Sequence, residues 1–169
     1  MAETRLHNYS VQEKLNKMDV DVIDIQPTVD TSAYAAGDLM FNPKEIPNAV
    51  AVDGGTAILQ SIAVANDDAL VGAFDIVFIA SSDQPGDLND AIAGETGLSD
   101  ANADKILGIV TISNMVDVGG TAIGSKANIG LVLKAAAGTK SIYAFGIAQS
   151  TDNPSTASGY KLRIGVVKD

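Results

Sequence analysis

The stretch Gly119-Gly-Thr-Ala-Ile-Gly124-Ser-Lys126 comes within one position of a nucleotide-binding loop. Such a loop reads G-x-x-x-x-G-K-[ST] and joins a strand to a helix, so that backbone N–H groups and one lysine hold the phosphates. Here Ser125 stands where the lysine belongs, Lys126 is displaced by one, and Ala127 replaces the hydroxyl that would hold magnesium. The following residues, "NIGLVLKAA", are rich in strand formers and offer no helix N-terminus to an anion. The same five residues, GGTAI, occur earlier at 54–58. Paired glycines permit positive φ in a tight turn, after which Thr-Ala-Ile resumes an extended chain. Both copies therefore read as loop-to-strand turns, placed at corresponding corners of two packed sheets.

Other reactive groups are sparse. Cysteine is absent, which removes disulfides, zinc–thiolate sites and thiol chemistry together. The one histidine, His7, lies in a polar leader and reads as a solvated residue, so no histidine triad or multi-histidine metal site forms within one chain. No G-x-S-x-G is present. Glycoside hydrolysis needs two acids about 5–9.5 Å apart, usually with aromatics that stack sugars. This chain has four Tyr, four Phe and no Trp, and its Asp67-Asp68 pair sits at an apparent turn, where Asp is favoured anyway. Asp83, Asp87 and Asp90 could supply carboxylates to calcium, but their spacing matches no EF-hand loop. The expectation is no catalytic, cofactor-binding or metal site.

The elements that would position any of these residues are short strands. "DVDVIDIQPTV" (19–29) alternates as a half-buried strand does, and Pro27 suggests its end. "SAYAAGDLMF" (32–41) turns at Gly37-Asp38 into a second extended piece, which Pro43 and Pro47 then break up. Runs rich in Ile, Val and aromatics follow at 56–65, 73–80, 105–113, 127–136, 141–149 and 160–167, each bounded by turn residues. In the last, Tyr160, Leu162, Ile164 and Val166 share one face, and Lys161, Arg163 and Gly165 the other. Long amphipathic helices between the strands are missing. The pattern predicts an all-β chain, an antiparallel β-sandwich over 19–169, preceded by an arm at 1–18. In that arm Ser10 and Glu13 fit a capping box, and Val11, Leu15 and Met18 give a partial stripe. The spacing predicts a short helix over about 11–17, in an arm that docks elsewhere or a frayed terminus. The acidic stretch 81–104 is turn-rich: "GDLNDAI" (86–92) suggests one helical turn, and Ser99 a cap for another across "DANAD" (100–104).

With 169 residues the chain suits one domain, and no apolar run approaches the roughly 18 residues of a membrane helix. The leader shows neither a secretory nor a mitochondrial pattern, so synthesis in a cytoplasm is expected. Net charge is −10, and no basic residue lies between Lys44 and Lys105, where eleven acids do. Such a surface repels phosphate and disfavours direct nucleic-acid binding. It reads as a solubilising face, or as one that seeks a basic partner.

Read as a whole from about Thr28, the chain runs "VDTSAYAAGDLM", "EIPNAVAVDGGTAILQSIAV", "AFDIVFIASS", "NADKILGIVTIS", "KANIGLVLKAAAGTKSIYAFGIAQS" and "YKLRIGVVKD". This sequence of phrases resembles the capsid decoration, or cement, proteins of tailed bacteriophages. The resemblance rests on pattern rather than on a catalytic motif, and it leaves out the first 25 or so residues. It implies a jelly-roll-like β-sandwich without an active site. It also implies a homotrimer on the outer surface of an icosahedral virion, bridging major capsid protein subunits. In that setting Arg5, Lys14 and Lys17 of the arm are the expected capsid contacts. The alternative is a head-fibre or receptor-binding module on the same scaffold, with 81–104 as its recognition loop.

Overall fold

A computed structural model describes residues 19–92 and 100–168. Among the described residues nine strands follow one another: β1 (Asp19–Ile25), β2 (Leu39–Ile46), β3 (Thr56–Asn66), β4 (Phe74–Ile79), β5 (Ile106–Ile112), β6 (Val116–Asp117), β7 (Ala122–Lys134), β8 (Ile142–Ala148) and β9 (Tyr160–Lys168). A 3₁₀ turn, Asp100–Lys105, leads into β5.

Strand pairing is nested. β1 pairs with β9, β2 with β8, β3 with β7 and β4 with β5, all antiparallel. The chain thus behaves as one long hairpin rolled up on itself. Contacts of β9 with β3 and of β8 with β4 close the roll into two sheets. One sheet has the order β1-β9-β3-β7-β6, the other β2-β8-β4-β5. This alternation of nested pairs between two sheets is the jelly roll. The expected all-β antiparallel sandwich is what the chain forms.

Between the sheets lies the main core, in which Phe41, Leu59, Ile62, Ile76, Phe78 and Ile164 are fully buried. Phe74 and Tyr160 meet edge to face with ring centroids 6.0 Å apart. In β9 the expected division holds: Tyr160, Leu162, Ile164 and Val166 face inward, Lys161 and Arg163 outward. In β3 the buried set changes phase, from Ala57 and Leu59 to Ile62 and Val64. The cause is a bulge at Gln60: Leu59 pairs with Val166 and Ser61 with Gly165, so two steps on β3 match one on β9. One extra residue flips the alternation, as strand periodicity requires. The partner β7 adapts with Asn128 and Gly130 at positive φ, and Gln60 Nε2 donates to Asn128 Oδ1 at 3.1 Å.

Two boundary expectations need correcting. Pro43 does not break the second extended piece; it lies inside β2. It is tolerated there because β2 is an edge strand with register shifts on both sides of Phe41. β7 begins at Ala122, five residues before the expected 127, because the loop-like Gly124-Ser125-Lys126 is strand. The segment 86–90 makes turns rather than a helix, and an isolated bridge ties Ala91 to Asp38. Ser99, His7 and the arm 1–18 lie outside the described residues.

Candidate functional site

Both glycine pairs act as turns. Gly119 and Gly120 have φ of +100° and +98° and link β6 to β7. Asp117 Oδ1 accepts from Gly119 N at 2.8 Å and from Gly120 N at 3.2 Å. The backbone donors a phosphate would need are thus already engaged by a carboxylate, whose charge repels a second anion. In the first copy Gly54 N donates to Thr139 O at 2.8 Å and Gly55 N to Val52 O at 2.9 Å. The loop-to-strand reading holds for both copies, but their placement differs from the expected corners of two sheets. β3 and β7 are antiparallel neighbours in one sheet, so the copies sit at its opposite ends, by the pairs Thr56–Lys134 and Asn66–Ala122.

Of the carboxylates singled out, Asp83 and Asp68 serve local structure. Asp83 binds Lys105 Nζ at 2.7 Å and accepts from Ser81 Oγ at 2.9 Å, and these two partners hold its pKa below the usual carboxylate range. Asp68 accepts from Ser155 N at 2.9 Å and from the Ser155 hydroxyl, fastening the 150–159 loop to the β3–β4 turn. Among the described residues no group of three or more His, Cys, Asp or Glu is placed to hold a metal ion. Tyr34 is fully buried; its hydroxyl donates to Met40 O at 2.9 Å and accepts from Asp30 N at 2.6 Å. Burial pushes its pKa up to about 12, which suits a structural tie rather than proton transfer. Asp152 is shifted upward by burial, against the Gly72 N–H that favours its charged form.

What remains is surface, and the two outer faces of the sandwich differ. On the four-stranded sheet Leu39, Val77, Ile79 and Phe145 form a second buried cluster, with Ile92 packed against it. The stretch after β4 binds there through its backbone: Leu39 N donates to Asp90 O and Asn89 N to Leu39 O, both at 2.9 Å. Pro85 is buried in the same stretch. The acidic segment expected to be a surface loop thus covers part of one sheet through its residues 81–92, while Ile106 and Ile109 of β5 stay exposed beside the cluster.

The five-stranded sheet has no comparable cover among the described residues. Its register sets Val20 beside Val167, Val167 beside Ile58, and Ile58 beside Val132. Val20, Ile58 and Val132 are 70%, 41% and 58% exposed. The result is an apolar row that crosses four strands in open solvent. Ile58 faces outward because its neighbours Ala57 and Leu59 face inward. Beyond the row a trough of 940 Å³ crosses the same sheet, from Asp24 on β1 over Ala63 and Ala65 to Val116 on β6. Lys161 and Arg163 line it too, the latter paired with Asp24 at 2.9 Å. Sequence reading missed this face. The alternation of 19–29 does not say which set faces in: Ile23 and Ile25 are buried, while Val20 and Val22 face out.

Neither a protein-family model nor a curated protein matches this chain. Among solved structures, it is similar to a chain in the X-ray structure of tomato aspermy virus, with 10% identity, a TM-score of 0.38, and coverage of 89% of this chain and 76% of that one. A chain in the structure of deformed wing virus carrying the GFP gene gives 9% identity, TM-score 0.37, and 91% and 77% coverage. A chain of Bacillus endospore appendages, described as disulfide-linked pili, gives 12% identity, TM-score 0.21, and 86% of both chains. None of these likenesses carries a function to this chain; the fold rests on the strand pairing itself.

Proposed function

We propose that this protein is a non-enzymatic structural component of a virion. It sits as a homotrimer on the outer surface of an icosahedral phage capsid and stabilises the shell by bridging major capsid protein subunits. The observation that carries the reading is the asymmetry of the jelly roll. One outer face is partly covered by the chain's own acidic segment, while the other presents an apolar row near the start of β1 and a trough at the far end of that strand. The polar groups singled out for chemistry serve turns and loop ties instead. A clamp of this kind gains strength from many weak identical contacts, and a trimer multiplies them. The basic residues Arg5, Lys14 and Lys17 meet acidic shell surface.

The test is the copy number of this protein in purified particles, measured against the major shell protein. A ratio near one to one supports the clamp. A far smaller ratio replaces it with a head-fibre or receptor-binding role, and absence from particles removes the virion reading altogether. Deletion of residues 1–18 then tests the arm: unchanged capsid occupancy excludes Arg5, Lys14 and Lys17 as the contacts.

A further inference from the structure

We propose that the free edge of β5 is a docking site for an extended, β-branched segment of another protein, which adds to the four-stranded sheet as one more strand. The strand order leaves β1 and β6 at the edges of one sheet, and β2 and β5 at the edges of the other. An open edge is a template for pairing with other chains, and proteins guard it with charges, prolines, bulges or short strands. β1 carries Asp19, Asp21 and Asp24, β2 carries Pro43, Lys44 and Glu45, and β6 is two residues long. β7, which β6 covers only at Ala122 and Ile123, has Lys126, Lys134 and the positive-φ residues Asn128 and Gly130. β5 reads Ile-Leu-Gly-Ile-Val-Thr-Ile, with no charge and no proline. Its bulge at Leu107 leaves 108–112 in unbroken register with β4. Among the described residues no backbone bond reaches Ile106–Ile112 from the side away from β4.

The side chains along this edge state what the occupant is made of. On the outer side Ile106 and Ile109 are 38% and 57% exposed, while their β4 partners Ile79 and Val77 are buried in the second cluster. On the inner side Leu107, Ile129 and Leu131 lie half-buried at the margin of the main core. Leu131 packs over Gly108, where a side chain would stand 2.7 Å from Leu131 Cδ1. An added strand therefore meets apolar neighbours on both faces, and its alternating side chains extend both clusters. Val, Ile and Thr suit such a strand at every position. Charge sets the flanks. Asp104 is exposed just before β5, and Asp75 stands beside Thr111 near its end, accepting from the hydroxyl at 2.5 Å. With −10 on the whole chain, the complementary segment is basic on either side of its apolar run.

A second copy of β5 fits less well. In a two-fold antiparallel pairing inward residues must oppose inward ones. Ile109 against itself sets Leu107, which faces the core, opposite outward Thr111. Val110 against itself keeps agreement only over 108–112 and leaves exposed Ile106 beyond the paired stretch. Lys105, the base next to the strand, is already held by Asp83. The proposal does not rest on the shell reading, which particle composition decides.

The probe is a synthetic octapeptide, Lys-Thr-Val-Ile-Val-Thr-Val-Lys, titrated into isotope-enriched protein. Saturable shifts are expected for the amide signals of Leu107, Gly108, Ile109, Val110 and Thr111, and none along β1 or β2. Ile109→Lys installs, at an exposed position, the guard that other edges carry, and should weaken binding about fivefold or more. Val132→Lys, as exposed on the other sheet, should leave affinity unchanged. The same peptide methylated at its backbone nitrogens keeps its side chains but loses the ladder, and should not bind. No saturable shift, shifts centred on β1 or β2, or binding that survives Ile109→Lys or methylation overturns the proposal. So do β5 shifts that grow with protein concentration in the absence of peptide, because the occupant is then a second copy. Copy number in particles is measured separately, so failure here leaves the shell reading untouched.

Discussion

Gly146 sets two ordinary effects against each other, and Gly146→Ala decides between them. Glycine inside a strand costs about 0.5–1 kcal/mol relative to alanine through chain entropy, so propensity alone predicts a gain. Packing predicts the opposite. Gly146 pairs directly with Phe41 across β8 and β2, and the Phe41 ring lies over it in the main core with no exposed surface. A methyl at Gly146 would stand 2.5 Å from Phe41 Cδ1 and closer still to Cε1. Carbon contacts rest at about 3.5–4.0 Å, so the ring or the edge strand must move by an ångström or more. Overpacking of that size costs about 1–3 kcal/mol. Set against the entropic gain, the net loss is about 0–2.5 kcal/mol. For a chain of this size that lowers Tm by up to roughly 10 °C. The assay is calorimetric melting of four proteins: the parent, Gly146→Ala, Phe41→Leu and the double variant. In the Phe41→Leu background the ring is gone, and Gly146→Ala should cost nothing or stabilise. A rise in Tm for Gly146→Ala alone, or an equal loss in both backgrounds, would refute the packing argument.

Three further outcomes are expected. Asn66 is fully buried; its Nδ2 donates to Leu70 O at 2.7 Å, and its Oδ1 accepts from Leu70 N at 3.0 Å and Asp68 N at 3.2 Å. Asn66→Ala strands those backbone groups and should cost about 1–3 kcal/mol in urea titration. Asp21 and Asp83 are held below the usual carboxylate range chiefly by their hydrogen bonds to Lys168 and Lys105. A lowered folded pKa gives stability that is present above the unfolded value of about 3.9 and is lost as pH falls through the folded one. Tm should thus fall as pH drops below about 4, and Lys105→Met should flatten that fall; an unchanged slope counts against the Asp83 pair. Ile92→Asp should open the second cluster, seen as new binding of a hydrophobic dye, while the near-ultraviolet dichroism of the Phe74 and Tyr160 core is kept.

The fold was legible where one residue type repeats with period two and turn residues bound it. β9 is the clear case, since Tyr160 to Val166 alternate without interruption. β3 was legible as a strand but not in its phase, because the bulge at Gln60 is set by the pairing with β9 and β7 and leaves no mark of its own in "AILQSIAV". The start of β7 was hidden by Gly124-Ser125-Lys126, residues that suit a loop. They are held extended by pairing with Val64, Ala63 and Ile62 of β3, and Gly124 lies under Met115 and Ile112, where a side chain would not fit. The candidate surface was less legible than the fold. The row Val20, Val167, Ile58 and Val132 is assembled from four separate parts of the sequence by register alone, so none of its members looks unusual in its own strand.

That row also bears on the choice between a shell clamp and a host-recognition module. A recognition loop must be free to change its shape and residues without unfolding the scaffold. The described part of the acidic segment is not free in this sense, because Ile92 and the backbone hydrogen bonds to Leu39 tie it to a buried cluster. Fully burying a side chain such as Leu39, Val77, Ile79 or Phe145 contributes about 1.5–3 kcal/mol, a large share of the 5–15 kcal/mol that holds a typical domain. Variation in that segment therefore endangers the fold. The opposite face carries no such burden: Val20, Ile58 and Val132 are exposed, and changing them leaves both cores intact. A surface that can be altered without cost to folding, yet is apolar, is the one whose composition folding does not explain. On the proposed shell reading, binding accounts for it, and the contact then lies on the five-stranded sheet.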